Sequence, residues 1–271
     1  MITAPGRSPS GWLLGDALAI AGRDLRHWTQ RPANIVITWL FPVLIALMFG
    51  GLFGGAIRVP EGSRYFEFLM PGMLTLAMFF GLESTVLSVT VDATRGITDR
   101  FRSLPINSGA VVLGRCLADM LSSLIGLLIL VVAGLLLGWQ WHRGLPEALG
   151  AFGLLLLLRF SLLWVGIYIG LHQKSPEAAA PIQILVWPVG FLSNVFVDPS
   201  TMPAWLGIIA TWNPLSATAA ASRQLFGNPE FASTAATWAS QHTILLALFW
   251  PLLITAVFLP LSAKKFRTLG T

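Results

Sequence analysis

Charge is what this chain of 271 residues has least of: Asp, Glu, Lys and Arg make up 11% of it, against 55% hydrophobic residues. Its mean hydropathy is +0.74. A polypeptide of that balance cannot cover a water-facing surface, which excludes an ordinary soluble fold and implies an integral membrane protein. Cysteine is nearly absent. Cys116 stands alone, so no intrachain disulfide and no thiolate metal site can form. The four histidines (His27, His142, His172 and His242) are scattered without ligand spacing, and no H-E-x-x-H occurs. Lysine is scarce too. Lys174, Lys264 and Lys265 are the whole set, none follows a glycine, and the chain has no G-x-x-x-x-G-K-[ST] loop. No Ser-His-Asp or metal motif supports catalysis, so no enzyme activity and no bound cofactor or metal are expected in this chain. No residue-level repeat relates the first half to the second, which weighs against an inverted-repeat carrier. The N-terminal stretch with Pro5, Arg7 and Pro9 does not read as a cleavable signal.

What is present is a series of apolar runs, and they predict an all-α membrane protein. Residues 1–9 read as a disordered N-terminus, and 10–271 as a single transmembrane domain. Ser10 caps a helix over 10–31 in which Leu14, Leu18, Ala21, Leu25 and Trp28 form one apolar stripe. It is too charged to span and reads as a helix lying in the membrane interface. Six spans follow, at about 35–55, 69–91, 116–138, 149–171, 179–197 and 244–262. The stretch 198–242 is half-apolar and broken by Pro199, Pro203, Pro214 and Pro229, so it reads as short helices dipping into the outer leaflet. Within it, Asn213-Pro214 and Gly227 are start and stop signals for a helix over Pro214–Phe226.

The basic residues set the orientation. The net charge is +5. Its placement argues for topology and contact with anionic lipid, not for nucleic acid. Twelve of the seventeen Lys and Arg fall on the side holding both termini, and four on the other, Arg223 among them. By the positive-inside rule both termini are cytoplasmic. The densest charge between spans lies in Asp92–Gly114. Residues 93–104 predict a short helix with Ile97, Phe101 and Leu104 on one face, Arg95, Asp99 and Arg102 away from it, and Pro105 ending it. Such a helix suits docking of a soluble partner, or its arginines serve only topology. Within the spans stand Glu83 and Arg159, each costly alone. A Glu83–Arg159 pair is expected, serving as a polar point in a transport path or as a structural bridge. Asp119 is expected to reach Arg115 one turn away. Phe79, Phe80, Trp187, Phe191 and Phe196 are candidates to line an apolar path or to face lipid.

Several of these stretches together resemble one known family. They are Arg23 to Pro32, Phe41-Pro42 with the Phe-Gly-Gly-Leu-Phe-Gly-Gly run from Phe49, and the loop from Arg95 to Pro105. Phe191-Leu-Ser-Asn-Val-Phe-Val-Asp-Pro199, Met202-Pro-Ala-Trp205, Asn213-Pro214 and Arg223 complete the set. In that order the chain is similar to the permease subunits of ABC-2-type exporters, in particular the daunorubicin-resistance (DrrB-like) branch. The resemblance implies six spans and a dimer of permeases, identical or related, served by two copies of a separate ATPase subunit that binds ATP and Mg. It implies that 93–104 is the coupling helix, with Arg95, Asp99, Arg100, Phe101 and Arg102 at the ATPase contact. It also implies that 198–242 forms re-entrant helices on the outer side. Asn194 stands where many relatives have glycine, which places an amide beside the path. The expected function is export of a hydrophobic or amphipathic compound across a bacterial cytoplasmic membrane. An ion-coupled carrier or channel using Glu83 and Arg159, and a membrane enzyme acting on lipid, are the other readings.

Overall fold

The structure is a computed structural model that describes Gly15, Gly22 and residues 32–54, 65–94, 108–230 and 237–268. Regular structure among these residues is helical throughout. In chain order it comprises α1 (Pro32–Phe53), α2 (Tyr65–Thr94), α3 (Ser108–Leu136), α4 (Leu145–Gly170), α5 (Ala180–Phe191), α6 (Ala204–Trp212), α7 (Pro214–Phe226), α8 (Trp238–Gln241) and α9 (Thr243–Thr268). The expected interfacial helix (10–31) and coupling helix (93–104) lie outside the described residues, apart from Gly15, Gly22 and the last turn of α2.

Among the described residues five helices, α1 to α4 and α9, are long and apolar enough to cross a membrane. α2 has 30 residues, about 45 Å at helical rise, which exceeds a hydrocarbon core of about 30 Å. The bundle is built around α2 and α4. In each of them 56% of the span is buried by the rest of the chain, against 17% for α1 and α9, whose apolar side chains face outward. Lipid can cover such faces at no cost, so outward Leu and Ile are expected there.

Two glycines bring α2 and α4 together. A Cβ on Gly166 would stand 2.9 Å from the Thr85 side chain, and one on Gly170 would stand 2.8 Å from the Val86 carbonyl oxygen. The two glycines are one turn apart and share a face, so the backbones meet along a smooth strip. Thr90 Oγ1 lies 3.3 Å from the Gly170 carbonyl oxygen across the same contact.

The expected fifth span, 179–197, is helical over only part of its length. The helix ends at Phe191, and α5 has 12 residues, about 18 Å, so the helix alone is shorter than the hydrocarbon core. The chain turns through Leu192–Val197 instead. A break there leaves carbonyls unsatisfied, and two side chains from α7 and its cap meet them. Asn213 Nδ2 donates to Leu192 O at 2.6 Å and Val189 O at 3.2 Å. Arg223 Nη2 donates to Asn194 O and Val195 O, both at 3.1 Å. Irregular backbone persists in an apolar protein where protein groups satisfy it.

α7 spans the residues its caps predict. Asn213 Oδ1 accepts from Leu215 N at 2.9 Å, and Gly227 closes the helix at φ 72, a left-handed conformation that suits glycine. Beyond it, Asn228 ties α7 to the α3–α4 turn. Its Oδ1 accepts from Trp139 Nε1 at 2.9 Å and its Nδ2 donates to Gln140 O at 2.8 Å.

Candidate functional site

Three groups of side chains carry the candidate chemistry. The first is an aromatic row on α1, α2 and α5. Phe80 lies 5.0 Å from Trp187 between ring centroids, and Phe41 is 5.9 Å from Phe80 and 5.8 Å from Trp187. Trp187 continues to Phe191 at 6.1 Å, and Phe191 to Phe196 at 5.3 Å. Phe49 closes the end, stacked on Phe196 at 4.3 Å. These separations are those of attractive edge and offset ring pairs. Phe191 remains 45% exposed, so the row offers aromatic surface rather than a closed core. Of the expected residues, Phe80, Trp187, Phe191 and Phe196 come together. Phe79 does not: it sits one residue round α2 and is buried in the main core. Phe41 and Phe49 join from α1, which sequence spacing alone could not align with α5.

The second group surrounds Arg159, which is fully buried on α4. Its Nε donates to Ser123 Oγ at 2.7 Å and its Nη2 to Thr85 Oγ1 at 2.8 Å. The carboxylate beside it is Asp119, whose Oδ2 is 3.8 Å from Nη2 and accepts from Thr85 Oγ1 at 2.9 Å. The expected Glu83–Arg159 pair is thus corrected. Glu83 and Thr85 are two residues apart on α2, about 200° around the helix, so a helix that turns Thr85 to Arg159 turns Glu83 away. Gly81, one turn from Thr85, makes the room: a Cβ there would stand 2.5 Å from Arg159 Nε. The expected Asp119–Arg115 contact is corrected as well. Arg115 donates instead to Asp92 at the end of α2. Asp119 serves α2 and α4, so it joins three helices in one hydrogen-bonded group. Glu83 therefore lends no support to a charge-coupled path through Arg159.

The third group was not legible in the sequence. Arg223, counted there among outer-loop charges, is fully buried. Its Nε donates to Phe68 O at 3.0 Å, its Nη2 to the two carbonyls beyond α5, and its guanidinium lies 4.2 Å from the Phe68 ring centroid. Asn194 Oδ1 is 3.5 Å from Nη1, and Asn194 N donates to Ser216 Oγ at 2.9 Å. Asn194 therefore fastens the α5 break to α7 and is not a member of the aromatic row. Burial pushes the Arg223 guanidinium down to about 10, with Glu230 and Tyr65 opposing, so it stays cationic at neutral pH. Burial raises the Glu230 carboxyl, against the pull of Arg223 and Arg143. The available signal was a lone arginine among Ser, Ala and Thr on a doubly capped helix. The coupling residues Arg95, Asp99, Arg100, Phe101 and Arg102 lie outside the described residues.

Comparison with known proteins is consistent along the chain. The family model described as ABC-2 type transporter matches residues 16–226. The chain is 34% identical over 246 residues to the daunorubicin resistance ABC transporter permease protein DrrB1 of Streptomyces coeruleorubidus, covering 90% of this chain and 83% of that protein. It is 24% identical over 226 residues to the doxorubicin resistance ABC transporter permease protein DrrB of Mycobacterium tuberculosis, with 83% and 78% covered. It is also similar to the putative transport permease ycf38 of Cyanophora paradoxa, 28% identical over 203 residues, with 73% and 70% covered.

Proposed function

The chain belongs to the ABC-2 type transporter family as the transmembrane permease of an ABC drug exporter, and from that premise we propose that it moves a hydrophobic or amphipathic compound out of the cell along the aromatic row. The observation that carries the proposal is the row itself. Phe41, Phe49, Phe80, Trp187 and Phe191 converge from three helices into a continuous aromatic surface that keeps part of its area open. Such a surface pays little to desolvate and offers ring faces to flat apolar cargo.

ATP and Mg are held by a separate ATPase subunit, present in two copies, and a second permease copy or a related permease completes the pathway. Both termini lie in the cytoplasm of a bacterial cell, residues 198–242 enter the membrane from outside, and α5 with the turn after it stands as the fifth of six passes. Arg95, Asp99, Arg100, Phe101 and Arg102 meet the ATPase. They follow α2 directly, so a push on them acts along α2. Because α2 is seated on α4 through Gly166 and Gly170 and on α3 through Asp119, that push moves the core of the bundle as one body.

The test is co-purification. The chain is expressed with its neighbouring genes and isolated in mild detergent, and an ATPase subunit is expected to come with it. It should be lost when Arg100 and Arg102 are both changed to Glu. If no ATPase associates and the purified chain alone moves solutes in liposomes, the reading fails.

A further inference from the structure

The two helices that flank residues 95–107 are tied to each other beside that loop. α2 ends at Thr94 and α3 begins at Ser108. Arg115 Nη1 on α3 donates to Asp92 Oδ2 on α2. These side chains are only 16% and 24% exposed, so water competes with the pair less than it does with a surface ion pair. Asp92 stands in the last turn of α2, where the helix's own dipole disfavours a carboxylate. Its partner, not its helix, stabilises the charge.

The tie matters because α3 is the more loosely packed of the two helices. Only 28% of its span is buried, against 56% for α2. Leu113, Leu117, Leu121, Leu124 and Leu128 all face outward. The opposite side carries a polar stripe, Arg115, Asp119 and Ser123, spaced i, i+4 and i+8 on one face. Arg115 reaches Asp92 and Asp119 reaches Thr85, both on α2, and Ser123 meets Arg159 on α4. Of the three, Arg115 lies nearest the loop. Beyond it α3 extends through Ser108–Gly114, about 10 Å of helix. Pushed at that end, a helix with a bare apolar side turns away from the bundle unless something holds it to α2 at the fulcrum.

We propose that Asp92 and Arg115 are positioning residues for export: their ion pair locks α2 and α3 into one stem, so that a movement imposed by an ATPase on residues 95–107 reaches both helices together. The inference rests on the reading that this loop meets the ATPase. Without the pair the loop still offers its contact residues, so the ATPase binds. α3 then swings apart from α2 instead of carrying the push inward to Asp119 and Ser123.

The experiment uses the full-length permease with its co-purified ATPase in lipid nanodiscs. Cys116 is changed to Ser, and spin labels are attached through Thr94→Cys and Leu113→Cys, two exposed positions, one on each helix. Pulsed electron resonance reads the distance between them, without nucleotide and with vanadate-trapped ATP. One narrow distance is expected in both states. Asp92→Ala and Arg115→Ala should each lose it when ATP is trapped, while the ATPase stays bound. The charge swap, Asp92→Arg with Arg115→Asp, leaves the net charge as it was and should restore the narrow distance. Glu177→Gln, an exposed charge outside the pair, should change nothing. A bound ATPase separates a loosened stem from a misfolded chain. A narrow distance that survives both single changes overturns the proposal. So does a swap that keeps the ATPase and fails to restore the distance. Loss of the ATPase from the single variants overturns it too, because the pair then serves docking and not transmission. In each of these cases the permease reading stands. If no ATPase comes with the parent, the permease reading falls and the proposal falls with it.

Discussion

Replacing Arg223 by Met removes the donor set that lets α5 end where it does. The parent side chain is fully buried and donates to Phe68 O, Asn194 O and Val195 O. Met fills similar volume but leaves those three carbonyls without that donor. Each buried acceptor stripped of its partner costs about 1–3 kcal/mol, and the lost contact with the Phe68 ring adds about 0.5–2 kcal/mol. The apolar replacement also removes the cost of burying a charge, so the net loss is about 3–5 kcal/mol. At about 2–4 °C per kcal/mol for a chain of this size, the unfolding midpoint should fall by about 10 °C. The chain carries its own reporter. Cys116 is the only cysteine and is buried at 6% exposure, so a thiol-reactive fluorophore reads unfolding at a single site. Arg223→Lys keeps the charge but replaces a planar fork by a point donor, and should recover only part of the loss. Lys264→Gln, an exposed change, should leave the midpoint in place. A midpoint for Arg223→Met within about 2 °C of the parent would refute the claim that this guanidinium holds the α5 break.

Other expectations concern the bundle and the row. Asp119→Ala strands the buried Arg159 guanidinium, whereas Asp119→Ala with Arg159→Met strands nothing. The double variant should therefore be more stable than the two single losses predict, by about 0.5–3 kcal/mol in a double-mutant cycle, and strict additivity would count against the pair. Gly170→Ala pushes a methyl to 2.8 Å from Val86 O. It should cost about 1–3 kcal/mol, while Gly153→Ala, with open space around it, should be neutral by the same thermal assay. Trp187→Ala removes a ring that bridges Phe80 and Phe191. Drug accumulation in cells should rise while ATPase association is retained; unchanged export would place the cargo elsewhere.

How much of this could be read in advance divides along a physical line. Length and apolarity are local, so four of the five expected spans before the outer region, and the last one after it, stand as long helices near their expected positions. Capping is local too, and Asn213-Pro214 with Gly227 marked α7 correctly. The ordered stretches from Phe41 to Arg223 carried the family, and the comparisons agree. What sequence alone could not decide was pairing across helices. Glu83 and Arg159 have opposite charge and similar depth, but the rotation of α2 that seats Thr85 and Gly81 on Arg159 turns Glu83 away and brings in Asp119 from α3. The same holds for the end of α5. Its apolar run continues to Val197, and Pro188, Gly190, Ser193 and Asn194 within it do not by themselves fix where the helix stops. The helix ends because Arg223 and Asn213, some twenty to thirty residues later, reach back and satisfy the carbonyls a break exposes. Apolar runs fix which segments leave water; only the tertiary contacts fix which backbone groups are met, and therefore where a helix inside an apolar protein is free to end.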